Sequence, residues 1–299
     1  MSSDEGSRKA RRDAARERAR ATREKEQQRK RRNRWFLQGG IGIAVLAAAA
    51  IVTLVVVNSV QPAGPGPKNM ASDGILLQGN GSSISAVETA AVKADGEPTA
   101  TSTAAHADTV NIVVYEDYLC PYCNQFETSN MTQIKQWVTA GSATLELHPF
   151  NLLDASSLGS KYSTRSANAA ACVANYQPDE FLDVNTAFYA KQPSEGTRGL
   201  TNAQIVSLVQ KAGATNANIP SCITDGTFTG WVADATNRAL TQKIPNSTVK
   251  KLTGTPLVLV DGKQYTGSLT DATAFASFVE QAAEASLGGA TTTPSPSAG

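Results

Sequence analysis

Histidine and cysteine are both scarce in this chain, with two and four among 299 residues. His106 lies in a polar stretch and His148 directly precedes Pro149, and neither stands at metal-ligand spacing. A tetrahedral zinc site needs four ligands, and the one C-x-x-C, Cys120 to Cys123, supplies two. So few imidazoles exclude most histidine-based acid–base chemistry. There is no glycine-rich phosphate loop, no serine triad and no internal repeat. No cofactor or metal is expected.

Net charge is nearly absent too, with 27 Lys/Arg against 26 Asp/Glu, but the balance sums two unlike parts. Residues 1–34 hold fourteen basic and six acidic residues, while the other 265 hold thirteen and twenty. Between them Trp35 to Val57 carries no charge at all. A helix needs about 20 apolar residues to cross the hydrocarbon core, and this stretch is long enough. Arg29, Lys30, Arg31, Arg32 and Arg34 abut its start, and Lys68 is the first charge beyond it. That asymmetry places residues 1–34 in the cytoplasm as a basic tail, 35–57 in the membrane and 58–299 outside. A cleaved signal peptide is the alternative. Its apolar region should run about 7–15 residues and end in a small-residue cleavage site. The longer run, the long basic region and the V-Q-P-A-G-P-G-P that follows favour an uncleaved anchor. The basic tail suits an anionic lipid surface and carries no nucleic-acid motif, so no nucleic acid is expected.

Pro62, Gly64, Pro65, Gly66 and Pro67 make 58–72 an extended linker, and the Thr/Pro/Ser-rich residues 288–299 read as a disordered tail. The folded part is then 73–287. Strands are expected at 74–78, 109–115 and 143–150, with a helix over 124–138. From about 159 to 244 the pattern is helical, at 165–176, 180–189, 202–212 and 229–240. Pro256 to Val260 is a strand, Asp261-Gly262 a hairpin turn, 263–267 its partner and 272–283 a closing helix.

The order strand, C-x-x-C, helix has chemical consequences. Unpaired backbone N–H groups and the positive end of the helix dipole lie beside the first sulfur. They stabilise a thiolate, the attacking species in disulfide exchange. Cys120 is therefore the candidate nucleophile, expected to be accessible, and Cys123 the resolving cysteine one turn on. Pro121 occupies an early helical position where a missing N–H costs nothing, and Tyr122 completes the dipeptide between the sulfurs.

With Y-E-D-Y-L-C-P-Y-C (115–123), T-G-T-P-L-V-L-V-D-G (253–262) and this element order, the chain resembles the thioredoxin superfamily over roughly 109–283. Specifically it resembles DsbA-like extracytoplasmic thiol oxidoreductases of the actinobacterial type. C-P-Y-C also occurs in glutaredoxins, so the pairing with Thr-Pro carries the likeness. The resemblance implies an α/β thioredoxin-like fold with an inserted helical subdomain, preceded here by the single transmembrane helix. It implies that Pro256 is a cis-proline facing the C-x-x-C and that Thr255 helps hold the substrate backbone. It also implies exported cysteine-containing proteins as substrates and a quinone-coupled membrane protein, of the DsbB or vitamin-K-epoxide-reductase kind, as reoxidising partner.

One position departs from the thioredoxin pattern. Six residues before the first cysteine, where that family carries a buried acid, stands Val114. Glu116 and Asp117 are the nearby acids, as candidate proton acceptors for Cys123 or as surface or capping residues. Cys172 and Cys222, 50 positions apart, are expected to form a structural disulfide within the helical block, with a second redox site as the alternative. Pro-Tyr between the cysteines suits an intermediate potential. A disulfide-donating oxidase for exported proteins is the expected function, with a reductase or isomerase kept reduced by a membrane donor as the alternative and a non-catalytic binding module on the same scaffold as the third reading.

Overall fold

A computed structural model describes residues 64–106 and 109–288. The expected cytoplasmic tail, the apolar span 35–57, residues 58–63 of the linker and the tail from 289 lie outside the described residues. Among the described residues no helix is long and apolar enough to cross a membrane.

Six strands form one sheet: β1 (Ile75–Gly79), β2 (Ile84–Ala86), β3 (Val110–Glu116), β4 (Ala143–Pro149), β5 (Leu257–Val260) and β6 (Lys263–Gln264), in the order β2-β1-β4-β3-β5-β6. The β-branched run of β3 pairs in parallel with β4, Val114 opposite Leu147, and antiparallel with β5, Val114 opposite Val258. Parallel neighbours need a crossover, and helix α1 (Pro121–Thr139) supplies it. The C-x-x-C therefore sits where the central strand feeds that helix.

β4 alternates Leu145 and Leu147 with Thr144, Glu146 and His148, yet all its residues are buried. Its polar face lies under other parts of the chain. Glu146 accepts a hydrogen bond from Ser72 and faces His148 Nε2 at 3.2 Å, and Tyr115 stacks on the His148 ring at 4.3 Å. Ser72 belongs to the segment expected to be linker, and that expectation is corrected for residues 66–72. Gly66 N–H donates to Val92 O, Asn69 Nδ2 to Ala174 O, and Met70 is fully buried. Its Pro/Gly content says nothing of Met70, which finds a core to enter.

Between β4 and β5 lie five helices: α2 (Tyr162–Tyr176), α3 (Phe181–Ala190), α4 (Asn202–Lys211), α5 (Ile219–Asp225) and α6 (Thr229–Thr241). α2 is the hub. Its alanines 167, 169, 170, 171 and 174 are buried, and their small side chains admit neighbouring helices on several sides. The seven-residue α5 has no counterpart among the expected helices, because it is too short to show a period. Cys222 lies on it, bonded to Cys172 of α2, and both are buried.

The Asp261-Gly262 turn has positive φ at both residues, 47° and 75°, as a two-residue hairpin requires. Its second strand is shorter than the expected 263–267. Beyond Gln264, the Tyr265 ring packs edge-on against Phe275 of the closing helix α7 (Ala272–Gly288), and its hydroxyl donates to Ser268 O.

Replacing Cys172 and Cys222 together by alanine should cost about 4 kcal/mol, from loop-closure entropy over a separation of 50 residues. Denaturant unfolding measures this. The thiol–disulfide equilibrium of Cys120 and Cys123 should not change; a large change would assign the bridge to the redox chemistry instead.

Candidate active site

β3 ends at Glu116, whose carbonyl accepts from Phe150 N–H at 2.7 Å. The next four residues form a tight turn in which Cys120 N–H donates to Asp117 O and Leu119 N–H to Asp117 Oδ1. Cys120 has extended backbone angles, φ −74° and ψ 116°, and is the N-cap of α1, with Pro121 in the first turn. The first N–H groups and positive dipole end of α1 thus lie beside the Cys120 sulfur, and the Cys123 backbone N–H bonds to it.

Both cysteines are free thiols. The peptide bond between Thr255 and Pro256 is cis, and Thr255 O lies 3.4 Å from Cys120 Sγ. The structure therefore brings the two segments together across 135 residues of sequence. The expected accessibility of Cys120 is corrected: it is only 4% exposed, and its thiol donates to the Thr255 carbonyl. Cys123 is 2% exposed, whereas Tyr122 between them is 60% exposed. A hydrogen bond with the Cys123 thiol lowers the Cys120 pKa, against burial, which raises it. Burial pushes Cys123 well up, and the Cys120 partner adds to the rise. The two sulfurs are thereby made unequal, one suited to exist as thiolate and the other as thiol.

Neither Glu116 nor Asp117 is on the surface, so the surface alternative fails for both. Asp117 is 0% exposed and accepts from Leu119 N–H, Leu153 N–H and Ser163 Oγ–H at 2.8, 2.9 and 2.7 Å. It caps the approach to α1 rather than α1 itself. Burial still raises it to about 7, against those three hydrogen bonds. Glu116 accepts from Tyr189 O–H at 3.1 Å through Oε2, while Oε1 is buried with no partner. Burial, then the nearby Glu127, pushes Glu116 well above the carboxylate range, and its charge is felt at Cys123.

Several residues around the site were not anticipated. Glu127 lies on α1 with Cys123 and Phe126, one buried stripe at helical spacing, so periodicity alone could have flagged it. It accepts from Thr186 Oγ–H, and burial raises it to about 7. Tyr189 and Gln192 come from the helical block, where no local pattern marks them. Asn124 Nδ2 donates to Tyr189 O at 2.8 Å, and Gln192 Nε2 donates to Tyr118 O and Cys120 O at 3.1 and 3.0 Å. No group of three or more potential metal ligands occurs among the described residues.

A family model described as thioredoxin matches residues 100–281, more than half of the chain. The chain belongs to the thioredoxin family. DsbA from Mycobacterium tuberculosis in its reduced form superposes on this thioredoxin-family chain with a TM-score of 0.52 and 23% identity, over 73% of this chain and all of that one. The thiol-disulfide oxidoreductase MdbA of Corynebacterium diphtheriae gives 0.50 and 18%, over 76% and 98%. Both likenesses show the fold. The serine/threonine-protein kinase PknE of Mycobacterium tuberculosis is 31% identical over 152 residues, 49% of this chain. The match spans about a quarter of that relative's length, 26%.

The raised acids predict an unusual pH dependence for this thioredoxin domain. A carboxyl raised on folding contributes stability that is full below its unfolded pKa and lost as pH rises through the folded one. For Glu127 that window runs from 4.5 up to about 7. Glu127→Gln cannot ionise, so its stability relative to the parent should rise between pH 5 and pH 8. The relative gain should be on the order of 2 kcal/mol. Denaturant midpoints at the two pH values measure it, and parallel curves for parent and variant would contradict it.

Proposed function

We propose that this chain is a membrane-anchored, extracytoplasmic thiol:disulfide oxidoreductase that donates disulfides to exported proteins. The observation that carries the proposal is the Cys120 sulfur at the N-cap of α1, facing Thr255 and cis-Pro256, with Cys123 buried behind it. A non-catalytic module on this scaffold has no need for two chemically unequal thiols at that place.

In the donating direction the protein starts with Cys120 and Cys123 joined. A substrate thiolate attacks Cys120 Sγ, the bond to Cys123 breaks, and Cys123 leaves as a thiolate that takes up a proton. A second substrate thiolate then attacks the substrate sulfur of the mixed disulfide and releases Cys120 as a thiolate. Two electrons pass from substrate to protein. Thr255 and Pro256 hold the substrate backbone alongside, and the exposed Tyr122 meets it. Glu116, whose burial favours its protonated form, is the proton source for the leaving Cys123; Asp117 keeps the turn in shape. A disulfide-donating direction is favoured because a stabilised Cys120 thiolate stabilises the reduced form and makes the disulfide a stronger oxidant. The Cys172–Cys222 bond fits a compartment where disulfides persist. The anchor at 35–57 holds the domain at the membrane, within reach of a quinone-coupled protein that restores the disulfide.

The deciding measurement is the reduction potential of Cys120–Cys123 in the full-length protein in detergent, by equilibration with glutathione. A value near −120 to −180 mV is expected for a donor, whereas one near −250 mV or below would make the protein a reductase. Cys120→Ala should abolish disulfide transfer to a reduced model protein. Turnover equal to the parent's would return the scaffold to the non-catalytic class. Glu116→Gln should slow release of Cys123 about tenfold or more at neutral pH, read by stopped-flow on the mixed disulfide.

A further inference from the structure

α3 and the loop after it run along the reactive turn and bond to it repeatedly. Asn185 and Tyr189, four apart, share one side of the helix, and Gln192 follows two residues past its end, its N–H donating to Tyr189 O at 3.2 Å. Tyr118 O–H donates to Asn185 Oδ1 at 2.8 Å, and Tyr189 both accepts from Asn124 and donates to Glu116. Gln192 completes the set. Its half-buried side-chain nitrogen bridges Tyr118 O and Cys120 O, the carbonyls on either side of Leu119 in the turn that carries the nucleophile.

Carbonyl oxygens carry partial negative charge, and left unpaired beside a sulfur they oppose its ionisation. Cys120 O already accepts from Asn124 N–H at 3.2 Å, so Gln192 adds a second donor there and supplies the side-chain donor to Tyr118 O, which removes part of that opposition. It also holds the turn so that the first N–H groups of α1 stay aimed at the sulfur. The hydrogen bonds of the Gln192 amide go to backbone carbonyls, so it acts through the backbone that presents Cys120.

We propose that Gln192 is a positioning residue through which the helical insertion stabilises the Cys120 thiolate and sets the oxidising strength of the site. This rests on the thiol–disulfide exchange function argued above. It makes the insertion part of the redox device, and not merely a lid or spacer beside a self-sufficient C-x-x-C.

The test uses the full-length protein in detergent and two variants, Gln192→Leu, which lacks the donor, and Gln192→Glu, which keeps the shape but offers oxygens to the two carbonyls. Two quantities are read: the equilibrium constant with glutathione and the pH midpoint of Cys120 alkylation by iodoacetamide. Gln192→Leu should shift the equilibrium about tenfold toward the disulfide form, about 30 mV more reducing, and should raise the alkylation midpoint. Gln192→Glu should shift both further. A residue that merely holds the loop would lower the denaturation midpoint and leave both quantities in place. Either folded variant matching the parent within twofold in both overturns the inference. If Gln192→Leu does not fold, Gln192→Glu decides alone. Should the parent exchange no disulfide with glutathione, the function itself is lost. Should the parent exchange normally and the variants with it, only the role of Gln192 is lost.

Discussion

Three hydrogen bonds to one buried carboxylate hold the reactive end of this molecule in place. Asp117 gathers Leu119 N–H from its own turn, Leu153 N–H from the loop after β4 and Ser163 Oγ–H from the first turn of α2. One side chain thereby ties the end of the central strand to the neighbouring strand's exit and to the hub helix of the insertion. A buried acceptor left without such donors would cost more than the bonds it now makes, so the three segments must assemble together. Cys120 follows three residues after Asp117, at a helix start whose position these bonds determine.

From there the site is made of segments distant in sequence. Thr255 O meets the Cys120 thiol from one segment, and Asn185, Tyr189 and Gln192 reach the turn from another. The outcome is an asymmetric pair of thiols, Cys120 lowered and Cys123 raised, above two raised carboxyls, Glu116 and Glu127. Burial is the common cause of the raised values, and it is also what makes each remaining hydrogen bond matter. The Cys120 sulfur, only 4% exposed, lies against the Thr255 carbonyl, two residues before the exposed Tyr122.

The N-terminal segment shows the same economy on another part of the sheet. Residues 66–72 enter the core through Met70 and bond to α2 through Asn69. Asp73 accepts from Arg238 Nε and Nη2, each at 2.7 Å, and from the Trp231 indole N–H at 3.2 Å, linking this segment to α6. A chain that looks like a tether in composition is thus the strap that covers the polar face of β4 and meets the insertion. The chemistry of β4, alternating Leu with Thr, Glu and His, resembles a half-exposed strand because the strap's cover is invisible from β4 itself.

Local chemistry determined a good part of this protein. The β-branched run 110–116, the helix after Pro121, the Asp-Gly hairpin and the closing helix each follow from residues adjacent in the chain, where period, turn geometry and N-terminal preferences act over a few positions. The identity of Cys120 and Cys123 as the chemical pair was legible for the same reason, since a C-x-x-C at a helix start is a local pattern. Residue order also made Thr255-Pro256 legible, by its place before the last hairpin. Only the tertiary structure decided what surrounds them: the burial of Cys120, the three donors on Asp117, the unpartnered oxygen of Glu116 and the reach of Gln192. Those depend on segments 36 to 135 residues apart in the chain meeting at one turn, and burial and hydrogen-bond partners are properties of that meeting, not of any residue alone.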